Sequence, residues 1–280
     1  MNIHLVVSDI DGTFINSAGL PSRGALESIQ NLRSQGIGFT LCSGRGDPGV
    51  RPFVELLKLD LPYIVSGGAA ILDANDRSVI YQNLLAKNQV KALIDLGIKT
   101  QCDLVFHTAS QLFALCSQEF WEKTCEERWI KKGGWKDVFR CGSRLELINK
   151  PIILINFFNQ EYLLPHLSEA VDHLTENVHA NIVFSKLEIT DCRVNKGLSL
   201  SYLADYLKVS LKNILSIGDD VNDLSMLKTA GIGVAMKNSP PQVIRQVDYL
   251  APSNDEGGLA SMINHLLSDT LNCLKPDQTK

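Results

Sequence analysis

Short, mostly apolar runs that stop abruptly in polar, glycine-containing loops occur near both ends of the sequence. Ile3–Val7 leads directly into the loop Ser8–Gly12, and Ile214–Ile217 leads into the loop Gly218–Asp223. Such a short apolar run is typical of a strand that is buried on both faces, as strands in parallel sheets are. The feature predicts an α/β protein whose polar loops lie at the carboxyl ends of parallel strands.

Strand and helix patterns alternate in two separate parts of the chain. The first part is predicted to contain the strands Ile3–Val7, Ile37–Cys42 and Tyr63–Ser66, with helices over residues 25–35 and Val50–Lys58. The second part is predicted to contain the strands Ile214–Ile217 and Ile232–Met236, with helices over Leu198–Leu207, Asp223–Thr229 and Gly257–Leu267. This order is typical of a parallel sheet whose strands are joined by right-handed crossovers.

The region between these two parts does not follow the same alternation. Residues 83–185 have a pattern of mixed strands and helices, which predicts an insertion with its own sheet. The 280-residue chain would then consist of a discontinuous core, residues 1–82 and 186–280, and an inserted domain. Lengths of about 180 and about 100 residues are both ordinary for domains.

Two aspartates, Asp9 and Asp11, come directly after the first predicted strand. Open α/β sheets bind their ligands at the carboxyl ends of the strands. A carboxylate pair there can share a divalent cation, and one carboxylate can attack an electrophile once the cation offsets the charge. A solvated turn completed by Gly12 is the alternative that this pair leaves open.

A hydroxyl group and a lysine lie at two other junctions between a loop and a helix. Ser43 follows the second strand and precedes Gly44, so its hydroxyl and the nearby backbone N–H groups can hold an anion such as phosphate. Lys196 opens a helix, where the positive helix terminus disfavours a cation unless an anion lies near it. An ordinary serine cap and a solvated surface lysine are the alternatives.

A second acidic loop follows the strand Ile214–Ile217. It contains Asp219, Asp220, Asn222 and Asp223. Acidic residues at the start of a helix can serve as caps alone, and Asp220 fits that role. Together with the other loops, these residues predict an oxygen-rich metal site with groups that hold phosphate.

Four pieces of the sequence resemble, in their order and strand-end context, the motifs of the haloacid dehalogenase (HAD) superfamily. The pieces are Val7–Thr13, Leu41–Arg45, Asn195–Gly197 and Ile217–Asp223. Lys186–Leu267 also resembles the Cof-type, class IIB branch of sugar-phosphate phosphatases. The resemblance implies a Rossmann-like parallel-sheet core with an inserted α/β cap domain that sets substrate specificity.

The resemblance also implies a role for each matching residue. Asp9 would be the nucleophile that becomes a phosphoaspartate, Asp11 the general acid and base, and Lys196 a third catalytic residue. Magnesium would be held by the Asp9 and Asp219 carboxylates and the Asp11 backbone carbonyl, with Asp223 supporting the site through water or Lys196. The implied substrate- and phosphate-binding residues are Ile10, Ser43, Gly44, Lys196 and Asn222.

Two places depart from the pattern of the superfamily. Gly67 stands where many members carry asparagine at the end of the third strand, so an amide is missing near the mouth of the site. Asn238–Pro241 stands where Asn-Ala is more usual, and we interpret that difference as structural. The first departure affects substrate contacts and leaves the implied phosphoryl-transfer residues in place.

The predicted function is a magnesium-dependent phosphatase that hydrolyses a small phosphorylated metabolite, with a sugar phosphate as the expected class. A sugar phosphomutase of similar fold is an alternative, because it would use the same phosphoaspartate and return the phosphoryl group to a sugar. A non-catalytic module that binds phosphate or magnesium is another, although competent residues occupy all the catalytic positions.

Composition excludes several other classes of protein. With 27 Lys and Arg against 31 Asp and Glu, the net charge is −4, too acidic for a protein that coats phosphate backbones, so we expect no nucleic-acid partner. The apolar stretches are far shorter than the ~20 residues that span a bilayer, and no basic segment precedes the first one. We therefore expect a cytoplasmic protein with no membrane association. Its seven scattered cysteines are expected to be reduced and buried.

The stretch Arg128–Arg140 is the most unusual part of the predicted insertion. It combines five cations and one aspartate with Trp129 and Trp135. It could contact an anionic, ring-shaped substrate by charge and stacking. We favour the alternative, a solvated loop that its tryptophans anchor to the inserted domain.

Overall fold

The computed structural model describes residues 2–183 and 185–275. Two large sheets with separate hydrophobic cores and one small three-stranded sheet organise this part of the chain. The strands, in chain order, are β1 (Leu5–Ser8), β2 (Gly38–Leu41), β3 (Tyr63–Val65), β4 (Ala70–Leu72), β5 (Val79–Gln82), β6 (Asp103–His107), β7 (Leu112–Leu115), β8 (Val138–Arg140), β9 (Leu154–Phe158), β10 (Val178–Val183), β11 (Lys186–Asp191), β12 (Ile214–Gly218), β13 (Ile232–Met236) and β14 (Tyr249–Ala251).

The helices lie between these strands, as alternation along the chain requires. They are α1 (Ala25–Ser34), α2 (Asp47–Leu57), α3 (Lys87–Lys99), α4 (Gln118–Phe120), α5 (Arg144–Ile148), α6 (Leu164–Leu174), α7 (Lys196–Leu207), α8 (Leu224–Thr229), α9 (Pro241–Ile244) and α10 (Gly258–Leu267). A π-helical segment, Trp121–Lys132, continues α4. Short 3₁₀ turns cover Ser66–Gly68, Glu161–Leu163, Leu211–Asn213, Val221–Asp223 and Leu271–Leu274.

The parallel sheet has five strands in the order β14-β13-β12-β1-β2. All four residues of β1 are buried, because α1 and α10 pack on one face of the sheet while α7 and α8 pack on the other. A strand enclosed in this way needs apolar side chains on both faces. The apolar run at the start of the sequence is therefore the central strand of a doubly covered sheet.

The second sheet has six strands in the order β10-β11-β9-β6-β7-β8. Its core joins one face of these strands to α3 and α6, with Leu93 and Val171 among the buried helix residues. The predicted fold class, a parallel-sheet α/β core interrupted by an inserted α/β part, is confirmed.

The third strand differs from the expectation of a continuous parallel sheet. β3 pairs antiparallel with β4, and β4 with β5, in a separate three-stranded sheet. A parallel bridge between Cys42 and Ile64 joins β3 to the edge of the parallel sheet, and the N–H of Ser43 donates to the carbonyl of Ile64 at 3.0 Å. The direction of β3 beside the parallel sheet is therefore as predicted, whereas its antiparallel pairing with β4 was not predicted, because a short apolar run does not specify the partners of a strand.

The division into a core and an inserted domain stays a prediction at its exact boundaries. β11 belongs to the six-stranded sheet, so this sheet continues past residue 185, where we place the end of the insertion.

The seven cysteines are free, but Cys192 and Cys273 are exposed, contrary to the expectation that all would be buried. Within the described residues, no helix combines the length and apolar character needed to cross a membrane.

Candidate active site

The carboxyl ends of β1 and β12 lie side by side and bring the two acidic loops together. The strands pair in parallel with Ser8 opposite Ile217, so Asp9 and Asp219 emerge at the same edge of the sheet. Gly12 is required between them, because its backbone has φ +74° and a Cβ there would overlap the Asp219 carboxylate.

Lys196 lies between the two acidic loops with only 2% of its side chain exposed. Its Nζ is 2.6 Å from Oδ1 of Asp9 and 2.5 Å from Oδ1 of Asp223. Helix α7 begins at Lys196, and the side chain of Asn195 caps it by accepting the N–H of Leu198 at 2.8 Å. Two carboxylates thus compensate for a cation at a positive helix terminus.

Asp223 connects Lys196 to the second acidic loop. Its Oδ1 accepts from Lys196, while its Oδ2 accepts the backbone N–H groups of Asp219 and Asp220, each at 3.0 Å. Asp223 is fully buried, so every polar atom it carries needs such a partner. It therefore fixes both the loop and the lysine.

Asp219 is held by two side chains that the sequence did not mark as site residues. The hydroxyl of Thr13 donates to its Oδ1 at 3.0 Å, and the amide of Asn238 donates to its Oδ2 at 3.2 Å. The same amide nitrogen is 2.9 Å from the carbonyl oxygen of Gly12. Asn238 therefore contacts the site, although we interpret the unusual residues that follow it as structural.

Burial makes the charges of this site unusually dependent on each other. We call Lys196, Asp9, Asp219 and Asp223 the lysine cluster. Burial raises the pKa of Asp9 well above its usual value, although Lys196 opposes the rise. Burial and the charge of Asp223 raise the pKa of Asp219 to about 7. Burial disfavours the Lys196 ammonium, but Asp223 and Asp9 outweigh it and keep the pKa of this lysine above its usual value.

Three carboxylates of the lysine cluster are placed to share a cation. Asp9, Asp219 and Asp223 each offer one oxygen, and these oxygens lie within 4.8 Å of one another. Carboxylate oxygens are the ligands that Mg²⁺ prefers. Burial and, after it, the charge of Asp223 raise the pKa of Asp219, as expected of a partly buried carboxylate beside another carboxylate with too little positive charge nearby. The residues present therefore fit a divalent cation.

The carboxylate of Asp11 lies outside this set of three. It forms a two-point ion pair with Arg45, with Nη2 at 2.6 Å from Oδ1 and Nε at 2.8 Å from Oδ2. The Arg45 guanidinium also lies over the ring of Phe53, 5.5 Å from its centroid. Asp11 is exposed, so its carboxylate faces the open side of the site. We expect Asp11 to contact the metal through its backbone carbonyl, and the position of its side chain does not test that expectation.

The residues expected to bind phosphate occupy different environments. Ser43 is buried, and its Oγ accepts the N–H of Arg45 at 3.1 Å. Gly44 adjoins open space, since a Cβ there would meet no atom within 4 Å. The side chain of Ile10 is buried in the core, so only its backbone can face a ligand. Asn222 is exposed on the turn next to Asp223. The binding roles of these residues stay predictions.

The basic and aromatic stretch of the insertion is largely occupied by its own contacts. Trp129 and Trp135 stack with ring centroids 5.1 Å apart, and Phe120 packs edge-on against Trp129. Lys131 pairs with Glu127 at 2.6 Å. Residues up to Lys132 are helical rather than a loop. The tryptophans therefore anchor this stretch to the inserted domain, as we favour, because they belong to a cluster with Val105 and Leu112 of its sheet.

Sequence reasoning missed Thr13, Asn238 and Arg45 as residues of the site. Thr13 and Arg45 stand inside the quoted motifs, so position within a motif was the available signal. Asn238 lies 19 residues beyond Asp219 on a different loop. Two signals were available: it matches the asparagine of the Asn-Ala pattern of the superfamily, and it stands two residues after the strand β13, at the same edge of the sheet as the acidic loops.

A family model described as haloacid dehalogenase-like hydrolase matches residues 6–263. Two relatives of Bacillus subtilis (strain 168) are named 5-amino-6-(5-phospho-D-ribitylamino)uracil phosphatase. The first, YcsE, is 26% identical over 268 residues, which cover 95% of this chain and 96% of the relative. The second, YwtE, is 27% identical over 283 residues, which cover 94% and 98% respectively.

Solved structures show the same fold over nearly the whole chain. A haloacid dehalogenase-like hydrolase from Bacteroides thetaiotaomicron superposes with a TM-score of 0.85 at 24% identity, covering 94% of this chain and 99% of that one. A sugar phosphatase of HAD subclass IIB superposes with a TM-score of 0.78 at 20% identity, covering 94% and 98%. The inserted six-stranded sheet is thus part of a recurring architecture.

Proposed function

The chain belongs to the haloacid dehalogenase-like hydrolases, and from this premise we propose that it is a Mg²⁺-dependent phosphatase that hydrolyses a small phosphorylated metabolite. The observation that carries the proposal is Lys196, held between Asp9 and Asp223 at the edge where β1 and β12 end. A cation and crowded carboxylates at one strand edge suit phosphoryl transfer, which mainly needs an in-line nucleophile and preorganised positive charge.

Each step of the proposed reaction uses a residue of this chain. Asp9 attacks phosphorus and forms a phosphoaspartate, while Asp11 donates a proton to the departing alkoxide. Asp11 then takes a proton from the water that attacks the phosphoaspartate, which releases inorganic phosphate. Lys196, Ser43 and the backbone at Gly44 hold the phosphoryl oxygens through both steps.

Mg²⁺ would be held by the carboxylates of Asp9 and Asp219 and the backbone carbonyl of Asp11, and it would supply positive charge that offsets the carboxylates and the phosphoryl oxygens. Asp223 acts through Lys196 and the acidic loop, since both of its oxygens already have partners there. Arg45 occupies the Asp11 carboxylate through their ion pair. Proton donation by Asp11 therefore requires this exposed ion pair to open.

The part of the chain around the six-stranded sheet is the proposed cap. It lies against the core next to the loop of Ser43, where His107 of β6 contacts Ser66. A cap in this place excludes water from the phosphoaspartate and contacts the leaving group. We expect a sugar phosphate or a related ester as the substrate, in keeping with the phosphate on the ribitylamino group in the names of two relatives.

The proposal is tested by phosphate release from a panel of phosphate esters, with Mg²⁺ and with a chelator. The panel includes hexose phosphates, 5-amino-6-(5-phospho-D-ribitylamino)uracil and p-nitrophenyl phosphate. We expect release that needs Mg²⁺ and that Asp9→Asn abolishes. Asp220→Asn is the matched control, because Asp220 is a neighbouring exposed aspartate and its loss should leave most of the activity.

Three outcomes would contradict the proposal. Activity that survives Asp9→Asn would exclude Asp9 as the nucleophile. A protein that binds phosphate but releases none from any ester would be a binding module. Transfer of the phosphoryl group to another sugar hydroxyl, without release of inorganic phosphate, would instead identify a mutase.

A further inference from the structure

One face of the six-stranded sheet of the cap is apolar and packs on helices. On the opposite face, Trp121–Lys132 covers apolar residues of β6 and β7, whereas β9 and β11 carry polar side chains, and we call this second face the polar face. Ile155 of β9 and Leu187 of β11 pack in the core with α3 and α6. Since side chains alternate along a strand, Asn156 and Glu188 lie on the opposite face. These two residues are also direct partners across the β9–β11 pairing.

The polar face of this sheet lies against the loop that contains Ser43. His107 on β6 approaches Ser66 of the core, with Nδ1 at 3.2 Å from Oγ. The backbone N–H of Ser66 donates to the carbonyl of Arg45 at 2.8 Å. A Cβ added at Gly46 would lie only 2.8 Å from Nδ1 of His107. The cap therefore meets the core beside the expected phosphate-binding loop.

Asn156 carries a buried polar atom that the described residues leave without a partner. Its side chain is 3% exposed, and its NH₂ group is 2.9 Å from Nε2 of His107. Burial lowers the pKa of His107 to about 3, so the ring is neutral, accepts at Nε2 and donates from Nδ1 to Ser66. The amide oxygen of Asn156 has no hydrogen bond. Such an atom costs about 1–3 kcal/mol, which a ligand donor can recover. The oxygen has almost no accessible surface, so a ligand reaches it only when the cap moves away from the core.

A charge pair lies beside Asn156 on the same face. Nζ of Lys186 is 2.5 Å from Oε1 of Glu188, and these side chains are only 24% and 16% exposed. The pair offers donors and acceptors with no net charge. We call Asn156, Glu188 and Lys186 the polar strip.

We propose that the polar strip is the leaving-group subsite of the phosphatase and that it takes a neutral, hydroxyl-rich leaving group. A hydroxyl can donate to the amide oxygen of Asn156 or to Glu188 and can accept from Lys186. An apolar or aryl alcohol leaves the Asn156 oxygen unpaired, and a second phosphate meets the carboxylate of Glu188. Sites built to hydrogen-bond a hydroxyl discriminate strongly against analogues that lack it. This inference rests on the proposed function.

The first test replaces Asn156 and compares two substrates. Asn156→Leu should lower kcat/KM for a hexose 6-phosphate about tenfold, the loss expected for one hydrogen bond, while p-nitrophenyl phosphate hydrolysis stays nearly unchanged. Asn149→Leu is the matched control, because Asn149 lies elsewhere in the cap and accepts from Lys87. Equal effects on both substrates would overturn the inference.

The second test changes the charge of the strip and avoids the buried amide, whose replacement can harm folding. Glu188→Gln leaves Lys186 uncompensated, so the ratio of kcat/KM for fructose 1,6-bisphosphate to that for the hexose 6-phosphate should rise several-fold. Glu119→Gln makes the same charge change at an exposed pair with Lys123 in the cap and should leave the ratio unchanged. A ratio that does not respond to Glu188→Gln would overturn the inference.

A binding measurement separates failure of the inference from failure of the proposed function. In Asp9→Asn protein, calorimetry with hexose 6-phosphate reports affinity without turnover. Adding Asn156→Leu should weaken binding about tenfold, whereas inorganic phosphate should bind both proteins equally. If no ester is hydrolysed but this difference appears, the function fails and the subsite stands. If esters are hydrolysed and the affinities are equal, the subsite fails alone.

Discussion

Two places in the molecule set one cation between two carboxylates from distant parts of the chain. In the lysine cluster, Lys196 joins Asp9 to Asp223. Where the cap meets the core, Arg77 joins Asp47, the first residue of α2, to Asp137, just before β8. The second place, which we call the arginine cluster, also includes Tyr63, whose hydroxyl donates to Asp47.

The contacts of the arginine cluster cross the boundary between core and cap. Arg77 donates to Asp47 at 2.6 Å, to Asp137 at 2.7 Å and to the carbonyl of Ser110 at 2.8 Å. Asp47 is fully buried, whereas Arg77 and Asp137 are about 30% exposed. Burial raises the pKa of Asp47, although Tyr63 and Arg77 oppose the rise. The cluster therefore fastens the cap to the start of α2.

The two clusters differ in the charge that remains after pairing. Arg77 balances the buried carboxylate of Asp47, and the second carboxylate, Asp137, is about 30% exposed and can be solvated, so the arginine cluster is complete without a ligand. The lysine cluster has three carboxylates for one ammonium, so it retains negative charge in a buried place. Buried charge without compensation is costly. The excess negative charge of the lysine cluster therefore indicates a cation-binding site. We therefore expect the same arrangement to serve structure in the arginine cluster and the proposed chemistry in the lysine cluster.

Removal of the cation from the lysine cluster should have the largest effect. Lys196→Met leaves Asp9 and Asp223 buried without their partner, so we expect a loss of about 3–5 kcal/mol in the free energy of unfolding. It also removes a preorganised charge from the phosphoryl site, so kcat/KM should fall by about 10²–10³ or more. Urea unfolding and phosphate release measure the two effects. Lys212→Met, at an exposed lysine, is the control, and wild-type activity in Lys196→Met would contradict the assignment.

The excess charge of the lysine cluster should also appear as a dependence of stability on pH and Mg²⁺. The pKa of Asp219 is about 7 in the folded chain and about 3.9 in an unfolded one. Its contribution to stability is therefore present below pH ~4 and lost as pH rises through ~7. Without metal, wild type should lose up to about 4 kcal/mol over this range relative to Asp219→Asn.

Mg²⁺ should remove most of this loss, because a cation that binds the ionised carboxylates stabilises the folded state at high pH. Thermal unfolding across the pH range, with chelator and with Mg²⁺, measures the effect. Asp205→Asn, at an exposed aspartate near the other end of α7, is the control. If the stability of wild type and of Asp219→Asn changed equally with pH, the pKa of Asp219 would not be raised in the folded chain.

Much of the lysine cluster could be predicted from the sequence, because its members stand in short motifs directly after strands. Parallel pairing brings the carboxyl ends of neighbouring strands together, so Asp9 and Asp219 had to meet once β1 and β12 were neighbours. Asn238 also meets Asp219, but it lies outside the motifs that carry the chemistry. A contact of this kind depends on loop geometry that periodicity does not encode.

The arginine cluster and the polar strip could not be predicted in this way. Arg77 lies 30 residues from Asp47 and 60 from Asp137, and none of these residues stands in a motif. Asn156 is one polar residue within a mostly apolar strand, and only the pairing of β9 with β11 reveals that Glu188 lies opposite it. The antiparallel pairing of β3 with β4 was missed for the same reason, since the apolar run of β3 fits parallel and antiparallel partners equally well.

Removal of the cation from the arginine cluster should have the smaller effect, and it tests whether that cluster is structural. Arg77→Met strands the buried carboxylate of Asp47, but Tyr63 still donates to it. We expect a loss of about 2 kcal/mol in the free energy of unfolding, with little change in the hydrolysis of p-nitrophenyl phosphate. Arg144→Met breaks an exposed pair with Asp95 in the cap and should cost less than about 1 kcal/mol. A different result would contradict this comparison: Arg77→Met would lower activity as far as Lys196→Met does while the free energy of unfolding stayed unchanged. The arginine cluster would then take part in the reaction, and charge balance would not distinguish a structural cluster from a catalytic one.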